Sequence, residues 1–237
     1  MKRIKVIIPV NTELWTQAHI NELEACKDAD TEITVVTLHV GAESIECGYD
    51  DAWNTLATIL ETEKAEKEGF DGVILSCFGD PGLRPAKEAV RIPVVGVAEA
   101  SIHLASMLGR RFAVITAGPP DAGSYMMDNF KVYEMDHKCI AVKSLGICVL
   151  GLAGDHDEEI NRFVTLASEL VERGAEVIVI GCTGMTEIAK QIAKRLPVPV
   201  ISPAPAALKI CEDLISLNLS HSKVGYPNPP TKKRTAC

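Results

Sequence analysis

Two cysteines in this chain sit in settings that could do chemistry. Cys77 closes the run FDGVILSC (Phe70 to Cys77) and is followed by Phe78, Gly79, Asp80, Pro81 and Gly82. Cys182 closes AEVIVIGC (Ala175 to Cys182) and is followed by Thr183, Gly184 and Met185. In both, a glycine two residues on lets backbone N–H groups approach a ligand without a side chain intervening. A free thiol of pKa about 8.5 is only ~3% ionised at neutral pH, and a helix N-terminus lowers that pKa. One cysteine can then serve as general base while its protonated partner serves as acid. On opposite sides of one carbon, such a pair removes a proton from one face and returns one to the other, which is racemisation or epimerisation. Backbone N–H groups on the substrate carbonyl would stabilise the enolate-like intermediate. This chemistry demands neither a metal nor an electron-sink cofactor.

An internal duplication is what would bring the thiols face to face. The two cysteines are 105 positions apart, and Pro93 of PVVGV and Pro199 of PVISP are 106 apart. KVIIPV from Lys5 and FAVITA from Phe112 are offset by 107. One near-constant interval predicts two copies of a βα unit, hence two lobes about a pseudo-twofold axis. Strands are expected at Ile4 to Ile8, Ile33 to Leu38, Val73 to Ser76 and Val94 to Val97 in the first half. The second half adds Phe112 to Thr116, Ile140 to Leu145, Val177 to Ile180 and Val200 to Ser202. These runs are continuously apolar, as suits parallel strands buried on both faces.

Between them lie helices. Trp53, Leu56, Ala57 and Leu60 form one apolar stripe; Ile160, Phe163, Val164, Ala167, Leu170 and Val171 form a cleaner one. A last helix is expected over Ala206 to Leu217, and the Pro- and Lys-bearing tail from Tyr226 reads as an extended or disordered end. Asp80 suits an N-cap and Pro81 a first helical residue, although Pro85 can push the start to Leu83 or Arg84. Ligands of open parallel sheets bind beyond the carboxyl ends of the strands. Asn11 and Thr12 after the first strand, and Thr116 and Ala117 at the end of its counterpart, face that cleft as substrate ligands or as turn formers.

The remaining cysteines, 26, 47, 139, 148, 211 and 237, read as core filler. No two cysteines are closer than nine positions and the six histidines show no metal spacing, so zinc and dithiol redox motifs are absent. Gly-rich nucleotide loops are absent too. His103 reads as a packing residue, and Asp155, Asp157, Glu158 and Glu159 as the first turn of a helix. The 237 residues, 47% hydrophobic, exclude a disordered chain or a repeat array. Lys plus Arg 24 against Asp plus Glu 32 leaves −8, which argues against nucleic acid or an anionic membrane as partner. No apolar run reaches a membrane span, and the apolar stretch after Met1 to Lys5 ends at Asn11, too short for a secretion signal. The expectation is a cytoplasmic protein with free thiols, acting on a small-molecule substrate and forming a homo-oligomer.

SCFGDPGL (Ser76 to Leu83) and GCTGM (Gly181 to Met185) resemble the two cysteine motifs of the aspartate/glutamate racemase superfamily, specifically its hydantoin racemase branch. The first loop, Pro9 to Thr12, and YPNPP at Tyr226 to Pro230 are similar to it as well. The resemblance implies an α/β fold of two flavodoxin-like lobes, each a mainly parallel sheet flanked by helices, with the active site between them. Residues 1–98 plus 205–237 would form the first lobe, to which the C-terminal helix returns, and 99–204 the second. The implied activity is cofactor-independent racemisation of 5-monosubstituted hydantoins, allantoin included, with Cys77 and Cys182 as the acid–base pair. Phe78, Gly79, Thr183 and Gly184 would hold the substrate ring, with Asn11, Asp80 and Thr116 beside them. Phe78-Gly79 and Thr183-Gly184 stand where glutamate racemases carry more polar groups, which suits a less polar ring than a charged amino acid. The competing readings are aspartate or glutamate racemisation, a maleate-type cis–trans isomerase in which one cysteine attacks a double bond, a decarboxylase of the same fold, and a two-lobe ligand sensor without catalysis.

Overall fold

The computed structural model describes residues 1–153 and 156–235; Asp155 and Cys237, read above from the sequence, lie outside the described residues. The first sheet contains β1 (Lys2–Ile8), β2 (Thr31–Thr37), β3 (Gly72–Leu75) and β4 (Val94–Gly96), ordered β2-β1-β3-β4 and wholly parallel. The second contains β5 (Phe112–Thr116), β6 (Cys139–Ser144), β7 (Val177–Ile180) and β8 (Val200–Ile201), ordered β6-β5-β7-β8, again parallel. The duplication read from the spacing is therefore a duplication of topology. The helices are α1 (Thr16–Glu24), α2 (Gly48–Lys67), α3 (Leu83–Ala89), α4 (Val97–Leu108), α5 (Ala122–Val132), α6 (His156–Glu172), α7 (Ala189–Ala193) and α8 (Pro203–Ser216).

Why the strand runs are continuously apolar follows from where their alternate side chains go. In β1 and β3, Ile4, Val6 and Ile74 face inward to a core that also receives Phe112 and Val114 of β5 and Val177 and Val179 of β7. The intervening Ile7, Val73 and Leu75 face a second core under α2 and α3. Ala113, Ile115, Ile178 and Ile180 face a third core under α6, where Ile160, Phe163, Ala167 and Leu170 are buried as their spacing predicts. Both sheets thus share one central apolar layer. Within it α8 packs against α4, α1 and the first sheet, while α4 also reaches β5 and β7.

Two helical expectations need correction. The stripe of α2 does not enter the core: Trp53 is 62% exposed, Leu56 50% and Leu60 49%, while Asn54, Thr58 and Thr62 are fully buried. The inward polar face is affordable because Thr58 and Thr62 close their hydroxyls onto the carbonyls of Asn54 and Thr58. Asn54 in turn binds the Pro9 carbonyl at 2.6 Å and the Ala42 N–H at 2.8 Å, tying together two loops at the rim of the first sheet. The second correction concerns Asp80. It does not cap the helix that follows it, which starts at Leu83 after Gly82. Instead its carboxylate accepts the N–H groups of Ala98 (3.1 Å) and Glu99 (2.9 Å) and caps α4 from outside. Its backbone takes a left-handed φ of +48°, a conformation that aspartate tolerates. Among the described residues no helix is long and apolar enough to cross a membrane.

Candidate active site

Equivalent backbone joints deliver the two thiols. The N–H of Ser76 donates to the Ile7 carbonyl at 2.8 Å and that of Gly181 to the Ile115 carbonyl at 2.7 Å. Each is the last ladder bond between the central strand and its neighbour, and each leaves the next residue, Cys77 or Cys182, beyond the sheet's carboxyl end. Both cysteines line one cavity, with about 50 Å³ of space open to the centre of a water molecule. Phe78, Gly79, Thr116, Thr183 and Gly184 line it too.

Each thiol is held by the glycine two residues on. The N–H of Gly79 donates to the Cys77 sulfur and the N–H of Gly184 to the Cys182 sulfur. A Cβ would be crowded at Gly79 and in tight contact at Gly184. A methyl group on Gly79 would stand 2.6 Å from Tyr125 Oη, and one on Gly184 3.1 Å from Trp15 Nε1. Trp15 precedes α1, which follows β1, and Tyr125 lies on α5, which follows β5. Each lobe's first helix therefore covers the other lobe's cysteine loop. The Gly79 carbonyl is further fixed by the Asn129 amide of α5 at 2.7 Å. Across the opening, Thr183 Oγ1 donates to the Ser76 carbonyl at 3.3 Å.

The electrostatics depart from the expectation of a helix-lowered thiol. Burial dominates and pushes both thiols up, Cys182 to about 11, while the glycine N–H bonds pull the other way. Cys77 is raised further, by burial first and then by the negative charge that Cys182, Asp80 and Asp51 would present to it. The Glu46 carboxylate adds to the rise at Cys182; it is held by Ser44 Oγ at 3.0 Å and by the Val149 N–H at 3.2 Å. The helix that was to lower Cys77 begins only at Leu83, too far along the chain for its dipole to act.

Not every sequence candidate reaches the cavity. Asn11 is exposed, is not among the lining residues, and donates its N–H to Ala42. Asp80 is buried behind the Cys77 loop, where it caps α4 and accepts the Tyr133 hydroxyl at 2.9 Å. Thr116 lines the cavity, but its hydroxyl is engaged by the Gly181 carbonyl at 2.8 Å. Phe78 is buried edge-on against Phe130, ring centroids 6.4 Å apart. Conversely, Trp15, His19, Glu46 and Tyr125 line the cavity and carry no local motif; only the duplication, followed through to the helix after each first strand, could have pointed to Trp15 and Tyr125.

Comparison with known proteins identifies the family and the fold. The family model described as Asp/Glu/Hydantoin racemase matches residues 4–211. A hydantoin racemase of Pseudomonas sp. (strain NS671) is 35% identical over 98% of this chain and 93% of its own length. The solved allantoin racemase from Klebsiella pneumoniae superposes with TM-score 0.93 at 32% identity, over 100% of this chain and 97% of that one. The allantoin racemase from Pseudomonas fluorescens gives 0.92 at 32% identity, over 99% and 100%. The chain belongs to the Asp/Glu/hydantoin racemase family and is an isomerase of the racemase type.

Proposed function

We propose that the protein racemises 5-monosubstituted hydantoins, allantoin among them, by a two-thiol mechanism without a cofactor. The observation that carries this reading is the pair of equivalent cysteines in one cavity, each fixed by the glycine N–H two residues on. The ionised thiol takes the proton from C5, and the electron pair of the C–H bond moves into the adjacent carbonyl to give an enolate. The opposite thiol then delivers its proton to the other face of C5 and is left as the thiolate. Net charge is unchanged and the two sulfurs exchange roles, as a racemase requires in its two directions. Each N–H aimed at the enolate oxygen would contribute about 2.7–4 kcal/mol.

The lining supports a neutral ring over a dicarboxylate. Among the described residues neither Lys nor Arg lines the cavity, and Glu46 does. A maleate-type or aspartate substrate would bring unpaired negative charge against it. The test is proton NMR in deuterated buffer with single-handed benzylhydantoin, isopropylhydantoin, allantoin, aspartate, glutamate and maleate. Wild type, Cys77→Ser and Cys182→Ser are compared with the enzyme-free rate. Deuterium entering C5 with loss of optical rotation, abolished for racemisation by either variant, is the expected result. Fumarate from maleate, or no exchange above background, refutes the reading.

We also propose that the chain forms a homo-oligomer through α2, beginning with a twofold pair. Tyr49, Trp53, Leu56 and Leu60 are all exposed along one side of it. These four side chains recur at 49, 53, 56 and 60, so two copies of the helix can lay one continuous apolar stripe against the other about a twofold axis. Sedimentation should show an oligomer that Leu60→Glu dissociates; a monomeric wild type refutes it.

A further inference from the structure

His19 and Ser76, which both line the cavity, each carry a buried polar atom with no partner among the described residues, Nε2 of His19 and Oγ of Ser76. Both residues are 1% exposed. Orphans of this kind are few in folded proteins, because each gives up hydration and receives no bond in return. The His19 ring is oriented by its other nitrogen, which lies 2.9 Å from the Trp15 carbonyl oxygen. A carbonyl only accepts, so Nδ1 carries the proton. Burial pushes the His19 pKa down, keeping the ring neutral. Nε2 is therefore a bare lone pair that can accept a hydrogen bond and cannot donate one.

The pseudo-twofold makes this lone pair informative. Trp15 stands against Gly184 as Tyr125 stands against Gly79. Four residues beyond Tyr125, Asn129 commits its amide to the Gly79 carbonyl. Four residues beyond Trp15 comes His19, on α1, which packs against the 3-10 segment Thr183–Ile188. The equivalent position thus holds a group unable to donate to its loop carbonyl. Asn129 is not among the cavity-lining residues, and His19 is.

We infer that His19 Nε2 accepts a hydrogen bond from an N–H of the substrate and so selects a cyclic ureide or amide over a carboxylate. The inference rests on the racemase reading above and names the group that recognises its substrate class. Ser76, whose hydroxyl can donate, offers the complementary type of contact, a donor for a carbonyl beside an acceptor for an N–H, the two groups that a ring amide carries. A carboxylate in their place would meet the His19 lone pair and the Glu46 charge, both repulsive.

The test uses three ligands: a 5-monosubstituted hydantoin, its isostere with oxygen replacing N1–H, and its N3-methyl derivative. KM or competitive inhibition constants are measured for wild type, His19→Asn and His19→Gln. Asparagine can keep a donor on the Trp15 carbonyl but presents nothing at the ε position; glutamine brings an amide oxygen near it. In wild type, one modified ligand should bind about 10-fold more weakly than the parent. His19→Asn should weaken the parent by a similar factor and no longer distinguish the two, and His19→Gln should restore part of the distinction. Equal binding of all three ligands by wild type overturns the inference and leaves the racemase reading standing. So does a discrimination that survives intact in His19→Asn. A wild type that turns over no hydantoin overturns both. A readout independent of the variants' folding is the ¹⁵N resonance of His19 Nε2 in wild type. It should move upfield from the position of a bare imidazole nitrogen when the hydantoin binds, and an unmoved resonance refutes the bond.

Discussion

Replacing Asp80 by alanine removes one side chain that accepts three hydrogen bonds: from the N–H of Ala98, the N–H of Glu99 and the hydroxyl of Tyr133. Loss of a helix cap costs about 1–2 kcal/mol, and the half-buried Tyr133 hydroxyl left unpaired adds about 1 kcal/mol. At roughly 2–4 °C per kcal/mol for a chain of this size, the melting temperature should fall by about 5–10 °C. Gly96 sets the limit on repair. A methyl group on it would lie 2.5 Å from the Asp80 carboxyl carbon, so no larger residue at that position can share the space. The Asp80→Asn variant removes the titration: it keeps one acceptor oxygen, while its NH2 meets an N–H that the second carboxylate oxygen accepts in wild type, at a cost that does not vary with pH. Burial, with the neighbouring Glu99 carboxylate, lifts the Asp80 carboxyl to about 7 from 3.8, against the pull of the two N–H groups and Tyr133. Because the folded value is raised, the stabilisation belonging to the protonated form is complete below about pH 3.8 and is lost as pH rises through 7. Calorimetry of wild type and Asp80→Asn from pH 4.5 to 8 should therefore show wild type losing stability relative to the amide as pH rises. Parallel profiles, or an Asp80→Ala melting temperature within about 1 °C of wild type, would refute the assignment of Asp80 as the strut that ties the Cys77 loop to α4.

The remaining predictions concern the thiols and their glycines. Gly79→Ala should lower turnover of the hydantoin substrate about 10-fold or more, since overpacking costs about 1–3 kcal/mol. Gly184→Ala should cost less, its methyl contact being 3.1 Å rather than 2.6 Å. Adding Tyr125→Phe to Gly79→Ala removes the clashing oxygen and should recover part of the loss; an unchanged double variant would place the fault elsewhere. Burial raises Cys182 to about 11 from 9.0. Its neutral form therefore stabilises the fold below pH 9, and that contribution is lost as pH rises through 11. Urea melts between pH 8 and 10.5 should decline less steeply for Cys182→Ala than for wild type, and equal slopes would contradict the raised value.

All eight strands were legible in the sequence, because an apolar β-branched run bounded by turn residues is a local signal. Observed ends differ from the expected ones by one or two residues; β5 and β7 coincide with Phe112 to Thr116 and Val177 to Ile180. The equivalence of Cys77 and Cys182 was legible too, since a duplicated topology leaves a constant spacing along the chain. The inward-facing stripe of α6 followed from its period, whereas that of α2 did not, because amphipathicity says which face is apolar and not which face meets the sheet. For α2 the buried face is polar and closes its hydrogen bonds on its own carbonyls and two loops.

The sequence by itself determined the repeat, the strand order's building blocks and the two thiols. The tertiary structure alone decided what surrounds them. Trp15 reaches the Cys182 loop, and Tyr125 and Asn129 the Cys77 loop, from the opposite half of the chain, while His19 lines the cavity they enclose. No window of neighbouring residues contains those contacts. The thiol pKa values were misjudged for the same reason: proximity to a helix start can be read along the chain, but desolvation is the sum of everything packed around the sulfur, and that sum exists only in the folded protein.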